Sequence, residues 1–182
     1  MIAKKPSVFN KSARILIFFS FCWVHQALSA EAPRDPYQYF FNETWGDFSE
    51  EIANAKAQGK QYILVFFEMD ECPFCHYMKE NVLNQALVQA YFRKYFLSFS
   101  VDIEGDIELT DFIGNVMTQK VFASKKNRVR ATPVFAFFDL TGKRVARFIG
   151  RTSGVDEFML LGRYVAEAHF KEMSFTRFKR KK

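Results

Sequence analysis

The chain of 182 residues predicts an α/β fold, with a central mixed sheet of about four strands flanked by helices. Three observations carry that prediction. Continuous apolar runs of β-forming residues at 61–67, 96–102 and 134–139 are too short for buried helices and suit strands covered on both faces. Amphipathic helical stretches separate and follow them. A fourth run, "RVARFI" at 144–149, follows the third after a tight "LTGK" turn and therefore pairs with it antiparallel.

In chain order, "DFSEEIANAKAQ" at 47–58 places Phe48, Ile52, Ala55 and Ala53 on one helical side, with Asp47 or Ser49 as cap and Gly59 as stop. "QYILVFF" is a central strand. The stretch "FCHYMKENVLNQALVQAYFRKYF" favours helix with a break at Asn81 or Asn84, and "FLSFSVD" is a second buried strand. Strand, helix, strand makes a right-handed parallel crossover. "DIELTDFIGNV" is a short hairpin or a loop, after which Thr118 caps a helix to about Lys126. The last two strands follow, and Asp156 to Ala168 forms a closing helix with Phe158, Leu161, Tyr164, Val165 and Ala168 on one face. Phe, at 23 residues, builds an aromatic interior, and one domain of ordinary size accounts for the length.

Both ends differ from this middle. Lys4, Lys5, Lys11 and Arg14 precede an apolar run from Ile15 to Val24 and then the small residues of "ALSA", the order of a secretory signal peptide over 1–30. The run is about half the ~20 residues of a spanning helix, so the mature chain is expected to begin near Glu31 in the periplasm or another exported compartment. An uncleaved signal holding the chain to the inner membrane is the alternative. Residues 31–46 form an N-terminal extension, 47–170 the domain, and 171–182 a basic tail. Four of the 26 Lys and Arg lie in residues 1–30 with no acid, leaving 22 against 20 acids, so the mature net charge is only +2. Six basic residues and one acid crowd the tail, which reads as a solvated terminus with scope for weak contact to anionic lipid. Nothing in this pattern argues for nucleic acid.

Cys22 leaves with the signal, so Cys72 and Cys75 are the only mature cysteines. Closing so short a loop removes little chain entropy, and the pair is there for chemistry rather than scaffolding. At the first turn of a helix after a strand, free N–H groups and the helix dipole stabilise a leading thiolate, and the second sulfur faces it one turn later. Pro73 suits that turn because it forfeits no helical hydrogen bond. Cys72 is thus the candidate nucleophile and Cys75 the resolving thiol. "CPFCH" also spells the C-x-x-C-H site of covalent haem attachment, with His76 as proximal ligand. Against it stand four β-rich runs where such cytochromes are helical. A zinc site would need further ligands, and no second C-x-x-C supplies them. The second element is "VRATPVFAFF" at 129–138, where Thr132-Pro133 before a buried strand can take a cis bond and expose backbone to an extended partner.

From about Asp47 to Ala168 the sequence resembles the thioredoxin superfamily. "ILVFFEMDECPFC" looks like the strand entering the family's active site, "VRATP" is similar to its cis-proline loop, and "GKRVARFIG" to its last hairpin. The nearest likeness is to exported SoxW-type thioredoxins, in the "AKAQGKQYILVFFE" lead-in, the proline-aromatic pair between the cysteines and the "TDFIGNVMTQKVFASKKNRVRATP" insertion. The resemblance implies thiol-disulfide exchange without a bound cofactor: Cys72 attacks, Cys75 resolves, and Thr132, Pro133 and Gly150 bind the partner. For the SoxW group it implies disulfide-containing exported partners and electrons from a membrane donor. This sequence departs from cytosolic thioredoxins at the buried acid six residues before the first cysteine and at the tryptophan directly before it, where Phe66 and Glu71 stand. Glu68 has the strand parity to substitute as a proton relay for Cys75, or it is a solvated strand-end residue. Glu68, Asp70 and Glu71 beside Cys72 disfavour the thiolate, while a charged His76 favours it. The acids point to a reductase rather than a strong oxidase; a disulfide oxidase or isomerase is the alternative.

Overall fold

The computed structural model describes residues 1–2 and 32–182; the expected signal segment lies almost wholly outside the described residues. The chain divides into two units, Met1–Ala30 and Glu31–Lys182, and every element below belongs to the second. No helix among the described residues is long and apolar enough to cross a membrane.

A short α1 (Pro36–Tyr39) precedes α2 (Phe48–Ala57), whose N-terminus is capped by the Asp47 carboxylate accepting from the N–H groups of Ser49 and Glu50. Strand β1 (Tyr62–Glu68) leads to α3 (Pro73–Met78), a π-helical turn (Lys79–Leu83), α4 (Ala86–Tyr95) and β2 (Phe96–Asp102). Of the two asparagines that could interrupt the helical stretch, Asn84 marks the break. The ambiguous segment is a hairpin, β3 (Glu108–Thr110) with β4 (Val116–Thr118), followed by α5 (Gln119–Val121) and a second π turn (Phe122–Lys126). Strands β5 (Val134–Asp139) and β6 (Arg144–Ile149), then α6 (Val155–Ala166) and α7 (Phe175–Lys179), complete the fold.

The main sheet runs β2-β1-β5-β6, with β1 parallel to β2 and antiparallel to β5, and β5 antiparallel to β6. Strand parity sorts the side chains into two cores. Leu64, Phe66, Phe135 and Phe137 face α3, α4 and α6, where Phe92 and Phe158 stack at 4.5 Å. Ile63, Val65, Phe67, Phe99 and Ala136 face α2 and the hairpin insertion, meeting Phe48 and Phe122. Glu51, not Ala53, is the further residue that α2 buries.

Two boundaries differ from the sequence reading. The expected extension contributes two rings to the first core: Phe40 is fully buried against Phe92 and Phe158, and Phe41 stacks on Phe66. Asn42 pairs with the outer edge of β2 at Ser98, donating its N–H to the Ser98 carbonyl at 2.7 Å and accepting from the Ser98 N–H at 2.9 Å. The basic end is no frayed terminus, because Phe178 inserts against Tyr164 and Lys179 pairs with Glu157 at 2.7 Å. Phe175, 5.4 Å from Tyr164 and 5.8 Å from Phe148, adds a second ring, and the two outweigh the charge around them, which a count of charges alone conceals.

Candidate active site

The register of β1 against β5 sets Phe67 opposite Val134. The end of β1, from which the chain runs to Cys72, therefore shares one end of the sheet with Pro133, which enters β5. Val134 also lies opposite Ile149, and the Gly150 N–H donates to the Pro133 carbonyl at 2.8 Å. The Thr132-Pro133 peptide is cis. Gly150 has φ +88, and a Cβ there would meet nothing within 4 Å, so this position is open on its outer side.

Cys72 and Cys75 are joined as a disulfide with Cα atoms 5.2 Å apart. Cys72 occupies the N-cap of α3 in an extended conformation, Pro73 begins the helix, and the Cys75 N–H donates to the Cys72 sulfur at 3.1 Å. When the bond opens, that N–H and the dipole of the helix favour negative charge on Cys72. Cys75 is wholly buried, in the same core as Phe66, Met78 and Phe135. Cys72 is only 3% exposed, less than the sequence reading requires of an attacking sulfur. In the closed pair one side of that sulfur is occupied by its bond to Cys75. Cys72 is still the one of the two with any exposure, so exchange with an outside sulfur is confined to it.

The surrounding charges also differ from expectation. Glu68 is not solvated at the strand end: it is 7% exposed, lies on the face of Phe66 and Ser100, and is held by three donors. The Lys79 Nζ donates at 2.7 Å, the Tyr37 hydroxyl at 3.1 Å, and the Ser100 hydroxyl completes the set. Burial works against the charge on Lys79, but hydrogen bonds to Glu68 and Tyr37 outweigh it and raise its pKa above the usual lysine value. Burial likewise pushes up the Tyr37 phenol. With Glu68 compensated, Asp70 and Glu71, both exposed, are what remains of the three acids expected to disfavour the thiolate. His76, exposed, lies with Nε2 2.8 Å from the Asp70 carbonyl oxygen and so tethers the loop that precedes Cys72.

Sequence reasoning missed the rim. Phe74, between the cysteines, is 54% exposed. The Arg151 guanidinium lies over its ring at 5.6 Å and over Tyr77 at 4.7 Å. Tyr77 donates to the Ser153 carbonyl at 3.4 Å, and Thr152, fully buried, approaches the Met78 sulfur. The loop after Gly150 is thereby locked to α3. Arg151 following Gly150 was the available signal.

A buried disulfide at a helix N-terminus, set at the same end of a sheet as a cis-proline loop, is an arrangement suited to thiol-disulfide exchange. Residues 48–166 match the thioredoxin-like domain family, and the chain belongs to it. A comparison with curated protein sequences returned no match. Among solved structures, the chain is similar to a thioredoxin-fold protein from Helicobacter pylori, at 18% identity and TM-score 0.55, covering 68% of this chain and 80% of that one. It is similar to the DsbH oxidoreductase at 19% identity and TM-score 0.52, over 69% and 85% of the two chains. A thioredoxin from Thermus thermophilus shares 26% identity at TM-score 0.50, over 64% and 81%. The first two likenesses speak to the fold.

Proposed function

We propose that this protein is an exported thiol-disulfide oxidoreductase of the SoxW type that reduces disulfides in periplasmic partner proteins through Cys72 and Cys75, with no bound cofactor. The observation that carries the reading is the Cys72–Cys75 disulfide capping α3, with Cys75 sealed in the core and Cys72 at the boundary. In the reduced protein the Cys72 thiolate attacks one sulfur of a partner disulfide. A mixed disulfide forms and the other partner sulfur leaves as thiolate. Cys75, giving up its proton, then attacks Cys72; the second partner thiolate departs and the internal disulfide closes. The two electrons delivered to the partner are restored by an external dithiol, for which a membrane protein is the proposed donor.

The partner's backbone is held by Thr132 and Pro133, with Gly150 leaving room beside them. Compensation of Glu68 by Lys79 removes part of the electrostatic case for a reductase. Direction therefore rests on the couple itself, and measuring its potential tests it: a reductase lies nearer about −270 mV than about −120 mV. A Cys75→Ala variant should accumulate mixed disulfides through Cys72 with its natural partners. A strongly oxidising potential, with wild-type protein oxidised at rest, would move the assignment to an oxidase. A covalent red chromophore on the purified protein would replace the dithiol reading by haem attachment.

A further inference from the structure

Four arginines are carried by β6 and by the segment ahead of the cis-proline loop, two stretches that meet. Arg128 and Arg130 lie on the segment leading into it, and Arg144 and Arg147 on β6, the edge strand of the sheet. The Arg144 Nη1 donates to the Asn127 carbonyl at 3.1 Å and the Arg147 Nη1 to the same oxygen at 3.3 Å, while the Arg147 Nη2 donates to the Arg128 carbonyl at 3.2 Å. Two like charges thus share one carbonyl oxygen. Burial and the neighbouring Arg144 both lower the Arg147 pKa, and its Nε is buried without a hydrogen-bond partner. Among the described residues none of the four, nor Arg151, has a carboxylate within ion-pair distance. Lys79, Lys126 and Lys179 by contrast pair with Glu68, Asp111 and Glu157. Cations gathered with no counter-charge of their own are poised for an anionic ligand from outside.

Location narrows the class of ligand. In the strand register Arg147 lies opposite Ala136 and Arg144 opposite Phe138, which puts both on the face that carries the second core, where the segment holding Asn127 and Arg128 meets them. Arg130 stands two residues before Thr132. A partner chain extended along the cis-proline loop would pass Arg130 first, with Arg147, opposite Ala136, further along the sheet and Arg144, opposite Phe138, toward its far end. Guanidinium forks also match carboxylates in two-point contacts. A lipid surface would engage cations together with several apolar side chains able to insert, and between residues 127 and 150 Ile149 is the one large apolar side chain that is exposed.

We propose that this arginine face recognises acidic residues flanking the disulfide of the partner protein, so that the enzyme prefers substrates whose reactive cysteine lies in an Asp- or Glu-rich stretch. The inference rests on the reductase reading above and specifies its substrate class.

The test uses two disulfide-bonded peptides of one sequence, carrying either Glu or Gln at positions flanking the cysteine, with turnover followed as kcat/KM at low and high salt. The wild-type protein should favour the acidic peptide about fivefold or more at low ionic strength, the ratio falling toward one as salt screens the charges. Arg130→Glu, at an exposed position, should collapse that ratio, and Arg130→Lys should retain most of it. A ratio near one in wild-type protein that still reduces the neutral peptide would overturn this inference and leave the reductase reading intact. So would a preference that Arg130→Glu does not alter. Failure to reduce either peptide would sink both. Binding to phosphatidylserine vesicles that is lost in Arg130→Glu, in a protein without peptide preference, would reassign the face to membrane contact and refute the proposal.

Discussion

Replacing Phe40 by alanine tests whether the segment before the family's usual boundary belongs to the folded unit. Phe40 has no exposed surface and its ring lies 5.1 Å from Phe41, 5.4 Å from Phe92 and 6.1 Å from Phe158. Deleting a fully buried ring costs about 3–5 kcal/mol, combining lost transfer energy with the void left behind. Phe41, stacked on Phe66, and the Asn42 pairing with Ser98 hold the segment in place, so collapse into the void is restricted and the upper half of that range applies. With a urea m-value of about 2 kcal/mol/M, the midpoint should fall by roughly 2 M. Tyr39→Ala, at a side chain that is 40% exposed, should cost under about 1 kcal/mol in the same titration. A Phe40→Ala midpoint within about 0.3 M of wild type, with m unchanged, would refute the claim that the segment around Phe40 and Phe41 belongs to the core rather than hanging from it.

Other expectations follow from local geometry and charge. Gly142, at φ +80 in the turn between β5 and β6, would place a Cβ 2.4 Å from the Phe112 Cβ. Gly142→Ala should therefore lose about 2 kcal/mol or more by denaturation, and a neutral result would contradict the docking of the insertion on that turn. Burial opposes ionisation of Asp111, but hydrogen bonds from Asn115, the Ile113 N–H and Lys126 outweigh it and hold its pKa below the usual carboxylate range; Asp139 and Glu157 are lowered similarly. A depressed folded pKa contributes stability that is present above the unfolded value of about 3.9 and lost as pH falls through the folded one. Stability should hence drop on acidification below about pH 4, with a shallower slope in Asp111→Asn; parallel curves would remove Asp111 from the cause.

Strands β1, β2 and β5 were legible because each is an apolar run rich in β-branched and aromatic residues and buried on both faces, whereas β6, partly exposed, was legible from the tight turn before it. The dithiol was legible because its chemistry depends on spacing along the chain. What escaped depends on contacts between distant segments. Glu68 reads as a strand-end acid until Lys79, eleven residues on, and Tyr37, from the extension, close around it. The tail reads as charge until Phe178 finds Tyr164. The convergence of Arg144 and Arg147 on Asn127 is likewise invisible in one dimension, since β6 and the loop meet only when the sheet forms.

The central claim is that, once reduced, Cys72 is the ionised entry sulfur and Cys75 the protected one. Alkylation of the fully reduced protein across pH, with each cysteine followed by mass spectrometry, tests it most directly. Cys72 should be modified first and should react as thiolate well below the free-cysteine pKa of about 8.5. Equal rates at the two positions, or a Cys72 no faster at neutral pH than a free thiol, would contradict the account.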